Sequence, residues 1–250
     1  MRPIFALVIV ARRMTSLRTI ANCISITGEI SIIRDFFGYK SGVYGHMSFE
    51  DVAAKGVDGV AIDPNAPGRL SLLQQVNLLK GPHINLDLIR VGIEDFTTVR
   101  EQELDVAVQI TRELYARIGL GVGRVLRFSI KKADARGLTV IETEDDVYEL
   151  IDNFSAPGGG MDVFFVKDIE LRADGETPVK DPEGTVVSLT GSTTTGIALA
   201  HELGHYLGLD HVSLSTNLMS ENTFPKLPFD LTSEQVSDMK SSEHVAEGCS

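Results

Sequence analysis

From Ile84 onward, the alternation of apolar and polar positions predicts the elements one by one. "HINLDLIRVG" (83–92) alternates as a half-buried strand does. Thr98–Ile118 sets Leu104, Val106, Val108, Ile110, Leu114, Tyr115 and Ile118 on one broad helical stripe, which makes it the longest helix in the reading. A strand follows at Val125–Ile130, then a short acidic helix at Thr143–Phe154, a "GGG" turn, and an apolar strand at Met161–Val166. The polar loop Glu170–Gly184 precedes a strand at Thr185–Leu189. Another helix starts near Thr194, where hydroxyl side chains can cap its first amides, and ends at Gly208, a natural left-handed stop. "LTSEQVSDMKSSEHV" reads as a final helix with Thr232 or Ser233 at its N-cap. The order implies an α+β arrangement, with a sheet on one side and helices on the other.

The first eighty residues read differently. Short β-rich pieces at Ile4–Val10, Thr19–Ile26 and Glu29–Ile33 lead into a loose Gly/Asp/Pro segment containing "DPNAPG", a turn or linker signal. We therefore divide the chain into a β-rich N-terminal region, 1–80, and a second unit, 81–250. The N-terminal region is a propeptide, an accessory domain or an extension of the sheet. "MRPIFALVIVARRM" superficially resembles a signal peptide, but its apolar stretch is short. Arginines stand where small residues should follow, so it reads as a first strand.

Composition narrows the functional classes. Hydrophobic residues at 43% and charged residues at 23% suit a soluble globular protein. No apolar run reaches the ~20 residues that a membrane span needs. The net charge of -12 repels phosphate backbones, so nucleic acid is not an expected partner. Cys23 and Cys249 are the only cysteines, and no CxxC occurs, which excludes a disulfide scaffold and a thiolate zinc site. The two either pair, tying the chain ends together, or stay reduced.

The chemistry concentrates in "TGIALAHELGHYLGLDH" (195–211), which holds three of the chain's six histidines. Residues four apart on a helix project from one face, so His201 and His205 can aim two imidazole nitrogens at one ion. Zinc favours such tetrahedral nitrogen ligation, and a catalytic site keeps one position for water. Glu202 lies one step round the helix, badly placed as a ligand but well placed to take a proton from that water. Gly208 permits a sharp exit that returns His211 as a third ligand. With this chain's own residue frequencies, HExxHxxGxxH arises by chance in roughly one of fifty thousand such chains, so the joint spacing outweighs the ordinary reading of each histidine as a core residue.

"HELGHYLGLDH" resembles the zinc signature of the metzincin metallopeptidases. Met219 in "STNLMSEN", eight residues after His211, is similar to that family's Met-turn. The resemblance is specific over residues 194–220, extends by element order from Ile84 to the end, and is absent before about residue 80. It implies one catalytic zinc held by His201, His205 and His211, with Glu202 as general base and acid. Gly208 and Met219 support the site. It also implies a twisted mixed sheet with a long helix and the motif helix above a cleft, and a small lower part with a C-terminal helix. The substrate would be protein or peptide, paired along an exposed edge strand. That strand should fall within Ile169–Gly184, yet "ADGETPVKDPEG" has almost no strand character. Val212–Phe229 should wall the specificity pocket. Secretion is implied as well, since metzincins mostly act outside the cell.

The short gap from His211 to Met219 brings the chain nearest to matrixin-like members, and Glu221 stands where astacin-like and serralysin-like members carry a tyrosine. "ANCIS" around Cys23 lacks the matrixin latency pattern, which speaks against a zinc-blocking cysteine. The carboxylates of Asp174–Glu183 raise the question of calcium, but their spacing fits no calcium loop and reads as a solvated acidic loop. His46, His83 and His244 read as ordinary surface or core residues. Three rivals remain. A zinc endoribonuclease has the same histidine spacing, but it carries glycine at the position of Glu202 and needs positive charge for RNA. An inactive zinc-bearing module that binds protein or glycan would not need Glu202. A peptidase of another HExxH clan, with a glutamate as third ligand, would not need His211.

Overall fold

A computed structural model describes residues 72–171, 175–178, 183–220 and 230–248. The strands expected at Ile4–Val10, Thr19–Ile26 and Glu29–Ile33 lie outside the described residues, as do Cys23, Cys249 and His46. Half of the acidic loop Asp174–Glu183 and residues 221–229 also fall outside them. The elements, in order, are α1 (Leu72–Leu78), β1 (His83–Val91), α2 (Thr98–Ala116), β2 (Gly121–Ile130), β3 (Val140–Ile141) and α3 (Glu144–Phe154). They continue with β4 (Met161–Val166), β5 (Asp168–Ile169), β6 (Gly175–Glu176), β7 (Thr185–Ser188), α4 (Ser192–Tyr206) and α5 (Ser233–Ser241).

Among the described residues, five strands form one sheet in the order β2-β1-β4-β7-β6. The first four are mutually parallel, and β6 closes the edge antiparallel to β7, with Gly175 opposite Val187 and Glu176 opposite Val186. This edge strand occupies the stretch that carried almost no strand signal. Two residues are too few to show a period of two, and the pairing comes from β7 rather than from local propensity.

The sheet carries helices on both faces, which corrects the expected arrangement of a sheet on one side and helices on the other. Leu86, Leu88, Val163, Phe165 and Val187 pack with α2 and α4 in one core. Ile89, Val91, Phe164, Val166 and Val186 pack with Val147, Leu150 and Ile151 of α3 in a second. Parallel neighbours need crossover connections, and α3 makes one of them, covering the second face. For the same reason β1 is buried almost throughout rather than half-buried; His83 and Asp87 take positions that alternation assigned to solvent.

Two helix N-termini follow sequence chemistry, and the motif helix departs from it. Thr143 and Thr232 each close a reciprocal capping box, with Asp146 and Gln235 respectively. The motif helix α4 starts two residues before Thr194, at Ser192, and has no side-chain cap from its own N-cap residue, Gly191. Glu103 of α2 supplies the oxygen instead, accepting from the Gly191 amide and from the Thr195 hydroxyl. A carboxylate at this end also meets the positive pole of the helix. Tyr115 Oη donates to the Ala200 carbonyl at 2.8 Å, fastening α4 against α2 from within the core.

On the α3 face, Asp87 and Asp162 stand opposite each other across β1 and β4. Asp87 Oδ2 accepts from the Gly160 amide at 2.8 Å, and Asp162 Oδ2 from the Ala156 amide at 3.0 Å. Burial, opposed by the Ala156 amide and reinforced by the charge of Asp87, pushes Asp162 up to about 6 from an ordinary value of 3.8. The unfolded chain therefore ionises this group first. The resulting penalty on the fold is absent below about pH 4 and complete above about pH 6. Asp162→Asn is expected to gain stability relative to the unsubstituted protein as pH rises from about 4 to 7, measured by denaturant unfolding across that range; a pH-independent offset would contradict the assignment.

Candidate metal centre

Helix α4 delivers two of the three motif histidines and a left-handed residue delivers the third. His201 and His205 share one face of α4, one turn apart. Gly208 follows the helix at φ 94°, a conformation that costs glycine little, and the chain reverses so that His211 returns to the same point. The three Nε2 atoms lie 3.1 Å (His201–His211), 3.1 Å (His205–His201) and 3.0 Å (His205–His211) apart. Ligands about 2.0–2.1 Å from a shared tetrahedral centre stand roughly 3.3 Å apart, close to this spacing.

The other ring nitrogens fix the tautomers. His201 Nδ1 is 2.7 Å from the Leu218 carbonyl oxygen, and His205 Nδ1 is 2.7 Å from that of Leu209. A carbonyl only accepts, so each Nδ1 carries its proton and each neutral ring turns a lone pair inward at Nε2. Burial lowers the pKa of His201 and takes that of His205 down to about 4, so both rings are neutral at pH 7. Two inward lone pairs 3.1 Å apart repel unless a cation lies between them. The donor set therefore fits a divalent ion that accepts imidazole nitrogen, and the triad could hold one.

The loop after His211 braces this arrangement. Leu218 orients His201, and the Val212 amide donates to the Met219 carbonyl at 2.8 Å. The Met219 amide in turn donates to Asn217 Oδ1 at 2.9 Å. The Met219 side chain is fully buried against α4, and a Cβ on Gly204 would sit 2.5 Å from its Sδ. Gly204, inside "HELGH", thus makes room for Met219. The sequence reading passed over it, although a glycine in a helix interior is unfavourable by about 1 kcal/mol and signals a steric demand.

Glu202 lies outside the cluster of converging nitrogens. It is buried beneath the sheet edge, where Thr177 Oγ1 donates to its Oε2 at 2.6 Å, and Gly175 lies so close that a Cβ there would stand 2.5 Å from Glu202 Cγ. Burial pushes the carboxyl up to about 8, with the Thr177 hydrogen bond acting in the opposite direction. Thr177 and Gly175 went unnoticed in the sequence because they sit in a loop without periodicity. Of the remaining histidines, His83 is buried with Nδ1 3.1 Å from the Gly81 carbonyl. His244 stacks edge-on against Tyr206 at 4.8 Å and lies 3.9 Å from Glu183. Among the described residues, no helix is long and apolar enough to cross a membrane.

No family model matches the chain, nor does any curated protein sequence. Solved structures that resemble it include a chaperone–substrate complex (14% identity, TM-score 0.47, covering 64% of this chain and 34% of that one). Metalloproteinase-II from Bacteroides fragilis resembles it at 16% identity and TM-score 0.44, covering 65% of this chain and 53% of that one. Archaemetzincin from Methanopyrus kandleri does so at 14% identity and TM-score 0.38, covering 64% and 87%. The aligned part thus spans about a third and about half of the first two structures.

The metal-free protein is expected to take up one equivalent of zinc at pH 7. His211→Ala should weaken that affinity by at least about 100-fold, read by competition with a chromogenic chelator. Undiminished affinity in the variant would remove His211 from the ligand set.

Proposed function

We propose that this chain is a zinc-dependent endopeptidase, with His201, His205 and His211 as ligands and Glu202 as general base and acid. The supporting observation is the convergence of three imidazole Nε2 atoms at 3.0–3.1 Å, two of them with tautomers fixed by carbonyls so that lone pairs point inward. The resemblance of "HELGHYLGLDH" and Met219 to the metzincin signature supports the same reading. It also underlies two wider parts of the proposal: secretion, and residues 81–250 as the catalytic unit.

Zinc in such a site acidifies water and polarises a peptide carbonyl. Everything else falls to the chain. Glu202 accepts the proton of the attacking water at its carboxylate and returns it to the departing amine nitrogen, so no covalent enzyme intermediate is needed. A carboxyl pushed up by burial holds that proton well at neutral pH, and a cation held by the three histidines would favour the ionised form of Glu202 that accepts it. Among the described residues β6 is the last strand of its sheet, and its outer side would offer main-chain groups to an extended peptide. With a net charge of -12, an RNA substrate is disfavoured.

The test is cleavage of an unstructured protein by the zinc-loaded chain, alone, with a chelator, and as Glu202→Gln. The unsubstituted chain should cleave, and the chelator should stop it. Glu202→Gln should lose about 10²–10⁴-fold in kcat while retaining zinc. A zinc-loaded chain that binds protein or glycan without cleaving it would favour the inactive module, and chelator-insensitive cleavage would contradict the proposal.

A further inference from the structure

We propose that Thr177 is a positioning residue: its hydroxyl holds the Glu202 carboxylate in the orientation from which it accepts a proton, and Gly175 provides the space this requires. The inference rests on the reading of Glu202 as general base.

Thr177 follows directly on β6, and continuing the β6–β7 register sets it opposite Thr185. Both side chains face α4. Thr177 Oγ1 is 2.6 Å from Thr185 Oγ1 and 2.6 Å from Glu202 Oε2, and all three residues are buried. Each hydroxyl has one proton, and an ionised carboxylate only accepts. With Glu202 ionised, Thr177 therefore donates to it, and Thr185 donates to Thr177. The direction of the chain is fixed by its acceptor end. A threonine also has one strongly restricted side-chain torsion, so the donor is held in place by a stiff side chain next to a hydrogen-bonded strand.

The steric observation is independent of this one. A Cβ at position 175 would lie 2.5 Å from Glu202 Cγ, 2.9 Å from Cδ and 2.9 Å from Oε1. Any larger residue at 175 must displace either the edge strand or the carboxylate. The edge thus touches the glutamate twice, with a donor at one oxygen and bare backbone beside the other. Without the hydroxyl, Oε2 loses a charge-assisted bond in a buried place, and the carboxylate has other rotamers open to it.

Four variants of the zinc-loaded full chain separate positioning from packing: Thr177→Val, Thr177→Ser, Thr177→Cys and Gly175→Ala. Thr177→Val keeps the branched shape without the donor and is expected to lose about 10–100-fold in kcat, with KM and zinc stoichiometry unchanged. Thr177→Ser restores the donor and should stay within about threefold of the unsubstituted chain. Thr177→Cys has nearly the size of serine with a much weaker donor, and should fall with valine. It carries the comparison if the valine variant does not fold. Gly175→Ala should lower kcat in the same manner. Equal kcat across the Thr177 series would overturn the proposal, as would a loss that follows side-chain volume and thermal midpoint instead of donor strength. If the unsubstituted zinc-loaded chain does not cleave at all, the peptidase reading fails first, and this inference fails with it.

Discussion

Two neutral imidazoles, His201 and His205, point lone pairs at each other, and the Nε2 of His211 converges on the same point. The Nε2 lone pairs of His201 and His205, 3.1 Å apart, repel, and the hydrogen bonds from their Nδ1 atoms to the Leu218 and Leu209 carbonyls prevent those rings from reversing their tautomers to relieve it. The rest of the described chain holds that arrangement in place. Helix α4 sets two of the rings one turn apart, Gly208 returns the third, and the loop carrying Leu218 and Met219 closes underneath. The constraint is electrostatic, and a divalent ion resolves it at once.

The support for this site is spread through the molecule. The Tyr115 hydroxyl grips α4 at Ala200, and Glu103 caps its first turn, so the long helix α2 sets the position of the motif helix at both points. The sheet contributes from its other end, where the β6 edge lies over Glu202 and buries it. In the proposed mechanism Glu202 takes up and releases a proton, and such enclosure would serve it. Burial raises its affinity for the proton, and a cation bound by the three histidines would lower it again.

Much of this was legible in the sequence where a pattern is long or a spacing strict. The strand Met161–Val166 and the helix beginning at Thr98 fall where the apolar pattern set them, and the Thr143 and Thr232 caps lie at their hydroxyls. The histidine spacing sufficed to bring His201, His205 and His211 together on paper. What escaped depends on contacts between elements remote in sequence. Edge strand β6 exists because β7 offers it a partner, α3 covers the second face because parallel strands need a crossover, and Glu103 replaces a local cap from about ninety residues away. Thr177 and Gly175 belong to this class, since their proximity to Glu202 comes from sheet register alone. Gly204 differs: a glycine inside a helix is visible in the sequence, and the side chain it accommodates is that of Met219.

The central claim is that one divalent ion completes a three-imidazole centre. X-ray absorption at the zinc edge on protein loaded with one equivalent of metal tests it directly. The account predicts three nitrogen neighbours at about 2.0–2.1 Å, with the multiple scattering of imidazole rings and one further light-atom neighbour. A shell containing sulfur, fewer than three imidazoles, or failure of the protein to retain stoichiometric zinc would contradict it.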